Sequence, residues 1–261
     1  MARSTAVFAD GFTLIELMAA MAVGAIVLMV AAQMLGKAGG DYSRISGGVE
    51  TEREMRAALG QIESDAATAR PVAGQVFETR TDRWPSHRIG FLCLQPPAAQ
   101  SDKGRVGDLC AVNYYLKDLR VGGRVVRCLM RGFRESGETF AMLRAGGSLA
   151  GLFAESARDE PVAFGVVAFE AGPVKRAADG SWQPWKAPEK SRQDAAEPAA
   201  DGPEALRVRL VVATREMMGK LQTPDDWDGK GEAGQRLGPP GEASRNPGLR
   251  TGEILAGFGP R

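Results

Sequence analysis

The sequence predicts an α+β fold in which a long apolar N-terminal helix is followed by an antiparallel β-sheet domain. No charged residue interrupts the apolar run between Leu17 and Leu35. An amphipathic helical pattern follows over residues 49–69. Beyond residue 75, short segments of alternating apolar and polar residues are separated by turn-forming residues. This order of elements favours a helix that lies on one face of an antiparallel sheet.

The apolar run is long enough to cross a membrane. About 20 consecutive apolar residues span a bilayer as a helix, and residues 12–35 reach that length. Glu16 lies near the start of the run, where a carboxylate costs on the order of a few kcal/mol unless it meets a cation. The run after Glu16 supplies no cation. Glu16 is therefore a candidate functional residue.

A small residue, Gly11, precedes the apolar run. A secretory signal has a basic start and a small-residue cleavage site after its apolar core. Here the small residue comes before the core, and only Arg3 is basic ahead of it. Cleavage after Gly11 would keep the apolar helix and leave Phe12 as a new, cationic amino terminus. The alternative is an uncleaved single-pass anchor with a carboxylate at the membrane interface.

A second helical pattern follows a glycine-rich stretch. Met55, Leu59, Ile62 and Ala66 recur at three- and four-residue spacing, which predicts a helix that packs this face on a sheet. Pro71 ends the pattern. The glycines before it predict a flexible neck; they are Gly36, Gly39, Gly40, Gly47 and Gly48.

The rest of the chain contains short strand patterns and two segments of low complexity. Gly122 and Gly123 lie between two strand patterns and predict a hairpin turn. Residues 186–203 and 229–261 are poor in residues that could be buried, which predicts a loop or disordered insertion and a flexible tail. The predicted strands are residues 75–79, 88–94, 109–117, 124–130, 139–143, 162–170 and 205–214.

The cysteines admit two interpretations. The chain has three, Cys93, Cys110 and Cys128, all in apolar, strand-like surroundings. If the domain lies outside the cytoplasmic membrane, Cys93 and Cys110 are a candidate disulfide pair beside one free thiol. Three buried free thiols are the alternative.

The sequence contains no recognisable catalytic motif. With 33 Lys and Arg against 32 Asp and Glu, it predicts no general nucleic-acid-binding surface. The single histidine, His87, lies in a turn-like stretch without a triad pattern. The acidic residues at 225, 226 and 228 lack the spacing of an EF-hand. We therefore predict no catalytic residue, no metal site, no cofactor and no enzymatic activity.

Residues 11–17, which read GFTLIEL before an apolar helix, resemble the cleavage and methylation motif of type IV pilins and type II secretion pseudopilins. The resemblance implies cleavage by prepilin peptidase between Gly11 and Phe12, N-methylation of Phe12, and a salt bridge from Glu16 to the amino terminus of a neighbouring subunit. It implies as partners other pilin-like subunits, the prepilin peptidase and methylase, an inner-membrane assembly platform and membrane lipid. The fold implied is pilin-like, in which the apolar helix and the amphipathic helix form one long spine, as an alternative to the flexible or bent junction that the glycines suggest.

This resemblance assigns a role to each region. The protein is expected to cross the cytoplasmic membrane once, with its soluble domain on the periplasmic or extracytoplasmic side, from which a filament or pseudopilus can extract it. The regions are a leader (1–11), a transmembrane and assembly helix (12–36), a neck and amphipathic helix (37–70), a soluble β-rich domain (71–228) and a flexible tail (229–261).

The function expected is that of a minor subunit of a pseudopilus or type IV pilus-like filament, because the apolar helix lacks the midway proline common in major pilins. Residues 166–169, the Trp-bearing connection and residues 203–210 resemble J-type minor pseudopilins. Residues 107–116 resemble the C-type proteins of the Verru_Chthon cassette. The alternatives are a minor type IV pilin for adhesion or DNA uptake, and an uncleaved membrane-anchored sensor or enzyme.

Overall fold

The computed structural model describes residues 13–69, 75–80, 82–146, 151–186 and 202–259. The chain divides into two compact units, Met1–Ser46 and Gly47–Arg261. The first helix, α1 (Leu14–Ala67), contributes residues to both units. The predicted fold class is confirmed, because a long apolar helical segment precedes a domain built on antiparallel sheets.

The first unit contains the apolar part of α1. The segment Leu14–Lys37 is long and apolar enough to cross a membrane, with a mean hydropathy of 2.4 and none of it buried. At about 1.5 Å per residue it measures roughly 36 Å, which exceeds the hydrocarbon thickness of roughly 30 Å. Large apolar side chains such as Ile15, Ile26 and Leu35 are exposed. This segment is therefore suited to an apolar surrounding.

The glycine-rich stretch differs from its prediction. Residues 36–48, expected to form a flexible neck, are helical. Each glycine weakens a helix by about 1 kcal/mol relative to Ala but keeps its amide donor and its carbonyl acceptor. A proline would remove the donor and clash with the preceding turn, and none occurs before Pro71. The hydrogen-bonding ladder therefore continues through the glycines.

The second unit contains two antiparallel sheets. The first has the strand order β1-β2-β3-β4-β5 and the second has the order β7-β6-β8-β9. The strands of the first sheet are β1 (Val76–Glu78), β2 (Arg88–Leu94), β3 (Leu109–Val121), β4 (Arg124–Arg134) and β5 (Glu160–Phe164). Those of the second are β6 (Val166–Arg176), β7 (Trp182–Pro184), β8 (Ala205–Ala213) and β9 (Leu249–Gly257).

Short helices connect or cover the strands. Residues 139–143, predicted as a strand, lie in a helix instead. A short apolar run does not distinguish strand from helix by periodicity, and here the Thr139 amide and hydroxyl both donate to the Glu135 carbonyl in the first turn. The short helices are α2 (Ser136–Arg144), α3 (Arg215–Met218), α4 (Pro224–Trp227), α5 (Gly231–Gln235) and the 3-10 helices Pro97–Ala99 and Pro240–Arg245.

Glycines with positive φ determine the path of the chain at two places. Gly122 and Gly123 have φ values of 57° and 81° and close the β3–β4 hairpin, which confirms the predicted turn. Residues 162–170, predicted as one strand, form parts of two strands because Gly165, with φ of 70°, separates β5 from β6. The chain passes there from the first sheet to the second.

The C-terminal segment is folded, so the predicted flexible tail is wrong for residues 229–259. It contains α5, a 3-10 helix and β9, which pairs with β8 from Leu249 to Gly257. Leu237, Ala243 and Ala256 are fully buried. Its buried residues belong to turns and short helices without a common period, which explains why composition alone failed. Of the predicted insertion at residues 186–203, residues 187–201 lie outside the described residues.

The main core of the second unit lies around α1. Met55, Leu59, Ile62 and Ala66 are buried, as the sequence pattern predicted, but they share one cluster with side chains from two sheets, where one sheet was expected. Phe91 and Tyr114 contribute from the first sheet and Leu206, Val208 and Leu210 from the second. One face of each sheet therefore packs in the same apolar cluster as the buried side chains of α1.

Candidate functional site

Helix α1 begins with reciprocal hydrogen bonds between Thr13 and Glu16. The Thr13 amide and hydroxyl each donate to Glu16 Oε2 at 2.9 Å. The Glu16 amide donates in return to Thr13 Oγ1 at 3.3 Å. This is the geometry of a capping box, which satisfies amide donors left free at a helix start. The membrane carboxylate therefore also caps its own helix.

The Glu16 carboxylate remains available for a further partner. It is exposed, and Oε1 accepts no hydrogen bond from any residue that the structure describes. Lys37 is the next charged residue along the chain, and at about 1.5 Å per residue it lies roughly 30 Å farther along the helix. The described part of the helix from Glu16 up to Lys37 therefore offers no cation to Glu16.

The two predicted processing residues, Gly11 and Phe12, lie outside the described residues. The first described residue is Thr13, the direct successor of Phe12. Since Thr13 caps α1, a chain that began at Phe12 would carry its amino group one residue before the capping residue.

The N-terminal segment also carries a family signature. Residues 9–32 match the model of the prokaryotic N-terminal methylation motif. The matched range includes Gly11, Phe12 and Glu16 and extends into the apolar part of α1. Within the part of the chain that the structure describes, one helical segment, Leu14–Lys37, is long and apolar enough to cross a membrane, and it overlaps this motif. No curated protein sequence matches the chain.

In the second unit, Asp65 of α1 is the centre of a buried polar network that sequence reasoning missed. Its Oδ2 accepts from the Tyr114 hydroxyl at 2.5 Å and from Arg131 Nε at 2.8 Å. Its Oδ1 accepts from Arg131 Nη2 and from the side-chain amides of Gln95 and Gln61. Burial, followed by the Asp65 charge, holds the pKa of Tyr114 well above its usual range. This network joins α1 to the first sheet.

A second buried network holds the segment before β5 against the first sheet. Arg134 Nη1 donates to Asp159 Oδ1 at 2.7 Å, and the Tyr115 hydroxyl and Ser156 amide donate to Oδ2. Arg134 Nη2 also donates to the Ala154 carbonyl at 2.9 Å. Burial alone would raise the pKa of Asp159, but its hydrogen-bond donors outweigh burial and lower that pKa. The carboxylate is thus a structural anion.

The acidic cluster near residue 225 is also structural. Asp226 Oδ2 accepts from the Gln222 amide and from the Thr223 amide and hydroxyl, as part of the capping box of α4. Asp228 forms an ion pair with Arg127 at 2.8 Å. Among the residues that the structure describes, no group of three or more His, Cys, Asp or Glu side chains could hold a metal ion.

His87 and two tryptophans also have structural partners. His87 Nδ1 lies 3.0 Å from the Ala171 carbonyl oxygen and 3.1 Å from the Ala171 amide nitrogen, and this contact connects the segment before β2 to β6. The Arg176 guanidinium lies 5.1 Å from the ring centre of Trp182. Trp227, which the sequence analysis did not single out, is fully buried and donates through Nε1 to the Val125 carbonyl.

The structure brings two of the predicted site residues together. Cys93 of β2 and Cys110 of β3 are direct partners in the antiparallel register. Cys128 lies in β4. All three cysteines are buried free thiols in the structure.

One surface depression lies beside α2, and the charged groups in its lining are paired with each other or with Asp159. Its volume is about 490 Å³, and its charged lining residues are Arg134, Glu138 and Arg158. Arg134 is paired with Asp159, and Arg158 with Glu138 at 2.6 Å. The charged groups of this depression are therefore engaged in structural ion pairs.

Proposed function

We propose that this protein is a minor pilin-like structural subunit of a type II secretion pseudopilus or a type IV pilus-like filament. The observation that carries the proposal is the methylation motif at residues 9–32, on an apolar helix whose carboxylate, Glu16, forms no ion pair with any residue that the structure describes. Prepilin peptidase cuts after Gly11, Phe12 is N-methylated, and the inner-membrane platform assembles the mature subunit with others of its kind. The second unit lies on the periplasmic side.

The proposed role of Glu16 is electrostatic. Cleavage converts the Phe12 amide into an α-amino group, whose pKa near 8 keeps it cationic at neutral pH. An ion in a low-dielectric surrounding is tolerated when an opposite charge compensates it. The Phe12 amine of one subunit supplies that charge to the Glu16 carboxylate of its neighbour. The capping box supports this role, because it fixes the carboxylate at the helix start and leaves Oε1 available.

Two features of the sequence support the role of a minor subunit. The apolar helix lacks a proline, and the second unit, Gly47–Arg261, is large for a repeating subunit. A position at or near the filament tip suits a bulky domain, because there its size does not obstruct the stacking of further subunits above it. The resemblances to J-type minor pseudopilins and to C-type Verru_Chthon cassette proteins favour the same position and stay proposals.

The decisive experiment examines the chain purified from its native membrane. Intact mass and N-terminal sequencing are measured for the unaltered protein and for Glu16→Gln, and filament fractions are probed for each. We expect both chains to begin at methylated Phe12, because the substitution leaves the cleavage site intact. We expect Glu16→Gln to remain in the membrane and to be lost from filaments at least tenfold.

Glu63→Gln is the matched control, because Glu63 is an exposed residue of the same helix outside the apolar segment. It is expected to enter filaments normally. An unaltered chain that begins at Met1 or Ala2 would contradict the proposal and would make the protein an uncleaved anchored domain.

A further inference from the structure

Cys93 and Cys110 lie directly opposite each other on neighbouring antiparallel strands. The register pairs Cys93 of β2 with Cys110 of β3. Opposite residues in such a pair have side chains on the same face and Cα atoms about 4.5 to 5.5 Å apart. Disulfides connect Cα atoms about 4.4 to 6.8 Å apart. The backbone therefore already provides the separation that a disulfide needs.

Cys128 lies on the other face of the same sheet. It packs with Tyr115 and Met130, whereas Cys93 belongs to the core around α1. Tyr114, which belongs to that core, lies four residues after Cys110 in β3, so the two share a face. Cys128 is therefore separated from both other thiols by the sheet itself.

Neither opposed thiol is accessible once the unit has folded. Cys93 and Cys110 are each 0% exposed. Burial raises the pKa of Cys93 to about 12 and that of Cys110 to about 11. Thiol–disulfide exchange requires a thiolate with access to the oxidant. Oxidation therefore has to occur before β2 and β3 are covered.

We propose that Cys93 and Cys110 form a disulfide while the second unit folds, and that Cys128 remains a thiol. The proposal rests on the proposed function, which places this unit in a compartment where disulfides persist. The structure holds the reduced form, with all three thiols free. The bond would connect β3, which carries Tyr114, to β2, which Gln95 directly follows, and both of these residues are partners of Asp65.

The chemistry balances with a disulfide as the oxidant, either an oxidised dithiol protein or oxidised glutathione. The thiolate of one cysteine attacks a sulfur of the oxidant, forms a mixed disulfide and expels a thiolate. The second cysteine then attacks the chain's own sulfur in that mixed disulfide and expels the other thiolate. The chain loses two electrons and two protons, and the oxidant becomes two thiols.

The test uses the full chain from its native membrane. Thiols are alkylated with iodoacetamide in denaturant without reductant, then disulfides are reduced and labelled with N-ethylmaleimide. Trypsin separates the cysteines, because Lys or Arg ends each of the segments 89–103, 106–117 and 128–131. We expect the second label on Cys93 and Cys110 and the first on Cys128. The location of the domain is checked with external protease in cells whose outer membrane alone is permeabilised. If the protease reaches the domain and all three cysteines carry the iodoacetamide label, the disulfide is overturned.

A second arm distinguishes failure of the pairing from failure of export. The full chain is reduced, unfolded and refolded in detergent with a glutathione redox buffer. A Cys93–Cys110 disulfide in the refolded chain supports the pairing, wherever the domain lies in the cell. A cytoplasmic domain, by contrast, contradicts both the proposed function and the formation of the disulfide in cells. Cys128→Ser should leave the link intact. Cys93→Ser should leave Cys110 free, and a Cys110–Cys128 link in that variant would overturn the assignment of Cys128 to a separate face.

Discussion

At the scale of single residues, Asp65 connects α1 to the first sheet through a buried polar network. Asp65→Ala would remove the acceptor of five hydrogen bonds and leave the mostly buried Arg131 guanidinium without its anion. Breaking a buried ion pair from one side costs about 3 to 5 kcal/mol. We expect a loss of about 3 kcal/mol in the free energy of unfolding, measured by urea titration of the full chain in detergent with tryptophan fluorescence.

Glu63→Ala is the control for this prediction, since Glu63 is exposed on the same helix two residues earlier. Substitution of an exposed side chain without such contacts changes stability by about 0.5 kcal/mol or less. Equal unfolding midpoints for the two variants would show that the Asp65 network does not stabilise the fold.

The same residues show what the sequence could predict at this scale. Glu16 was identifiable because its significance is local: one carboxylate precedes an apolar run, and Thr13 lies at the spacing of a capping box. Asp65 was not, because its main partners lie 30 to 66 residues away in the chain. A helical pattern shows which residues are apolar, but it does not show which buried acid meets a distant arginine.

At the scale of elements, Gly165 is the point at which the chain leaves one sheet for the other. Its φ of 70° is costly for any residue with a side chain, by roughly 1 to 2 kcal/mol. A Cβ atom there would lie 2.7 Å from the Met218 sulfur. We expect Gly165→Ala to lower the free energy of unfolding by about 2 kcal/mol or more in the same urea titration.

Gly172→Ala is the matched control for Gly165→Ala. Gly172 lies in β6, has no positive φ, and a Cβ atom there would meet nothing within 4 Å. The same substitution should therefore leave the unfolding midpoint nearly unchanged or raise it slightly. If Gly172→Ala proved as destabilising as Gly165→Ala, the loss in the free energy of unfolding could not be assigned to the positive φ at Gly165.

Elements were predictable where periodicity and packing agree. The alternation at Leu206, Val208 and Leu210 of β8 and the stripe from Met55 to Ala66 each mark a face that the structure buries in the main core. Val211 and Ala213 of β8 are buried on the opposite face as well, which the alternation did not predict. Residues 139–143 contain too few turns for the period to distinguish helix from strand. The predicted strand 162–170 breaks at Gly165 because the residues before it join the first sheet and the residues after it join the second. The pairing of each part with its sheet depends on the whole unit and not on the local sequence.

At the scale of the whole molecule, the C-terminal segment completes the fold rather than trailing from it. Residues 215–245 cover the outer face of the second sheet, where Met217, Leu221 and Leu237 join one apolar cluster. Strand β9 then adds the edge of that sheet. The sequence did not predict this role, because the segment is rich in Gly, Pro and charged residues. Most side chains of residues 215–245 are exposed, and the buried ones are scattered among turns and short helices.

Removing β9 tests this whole-molecule role. A chain that ends at Pro247 lacks the strand that pairs with β8 at every residue from Ala205 to Ala213, and it lacks the buried side chains of Leu249 and Ala256. We expect it to lose cooperative unfolding in urea and to be cleaved within the second unit by low concentrations of protease. A chain that lacks only residues 260–261 is the control and should behave like the full chain. A flexible tail would make both truncations harmless, so an unchanged unfolding midpoint for the shorter chain would contradict the role of β9 in the sheet.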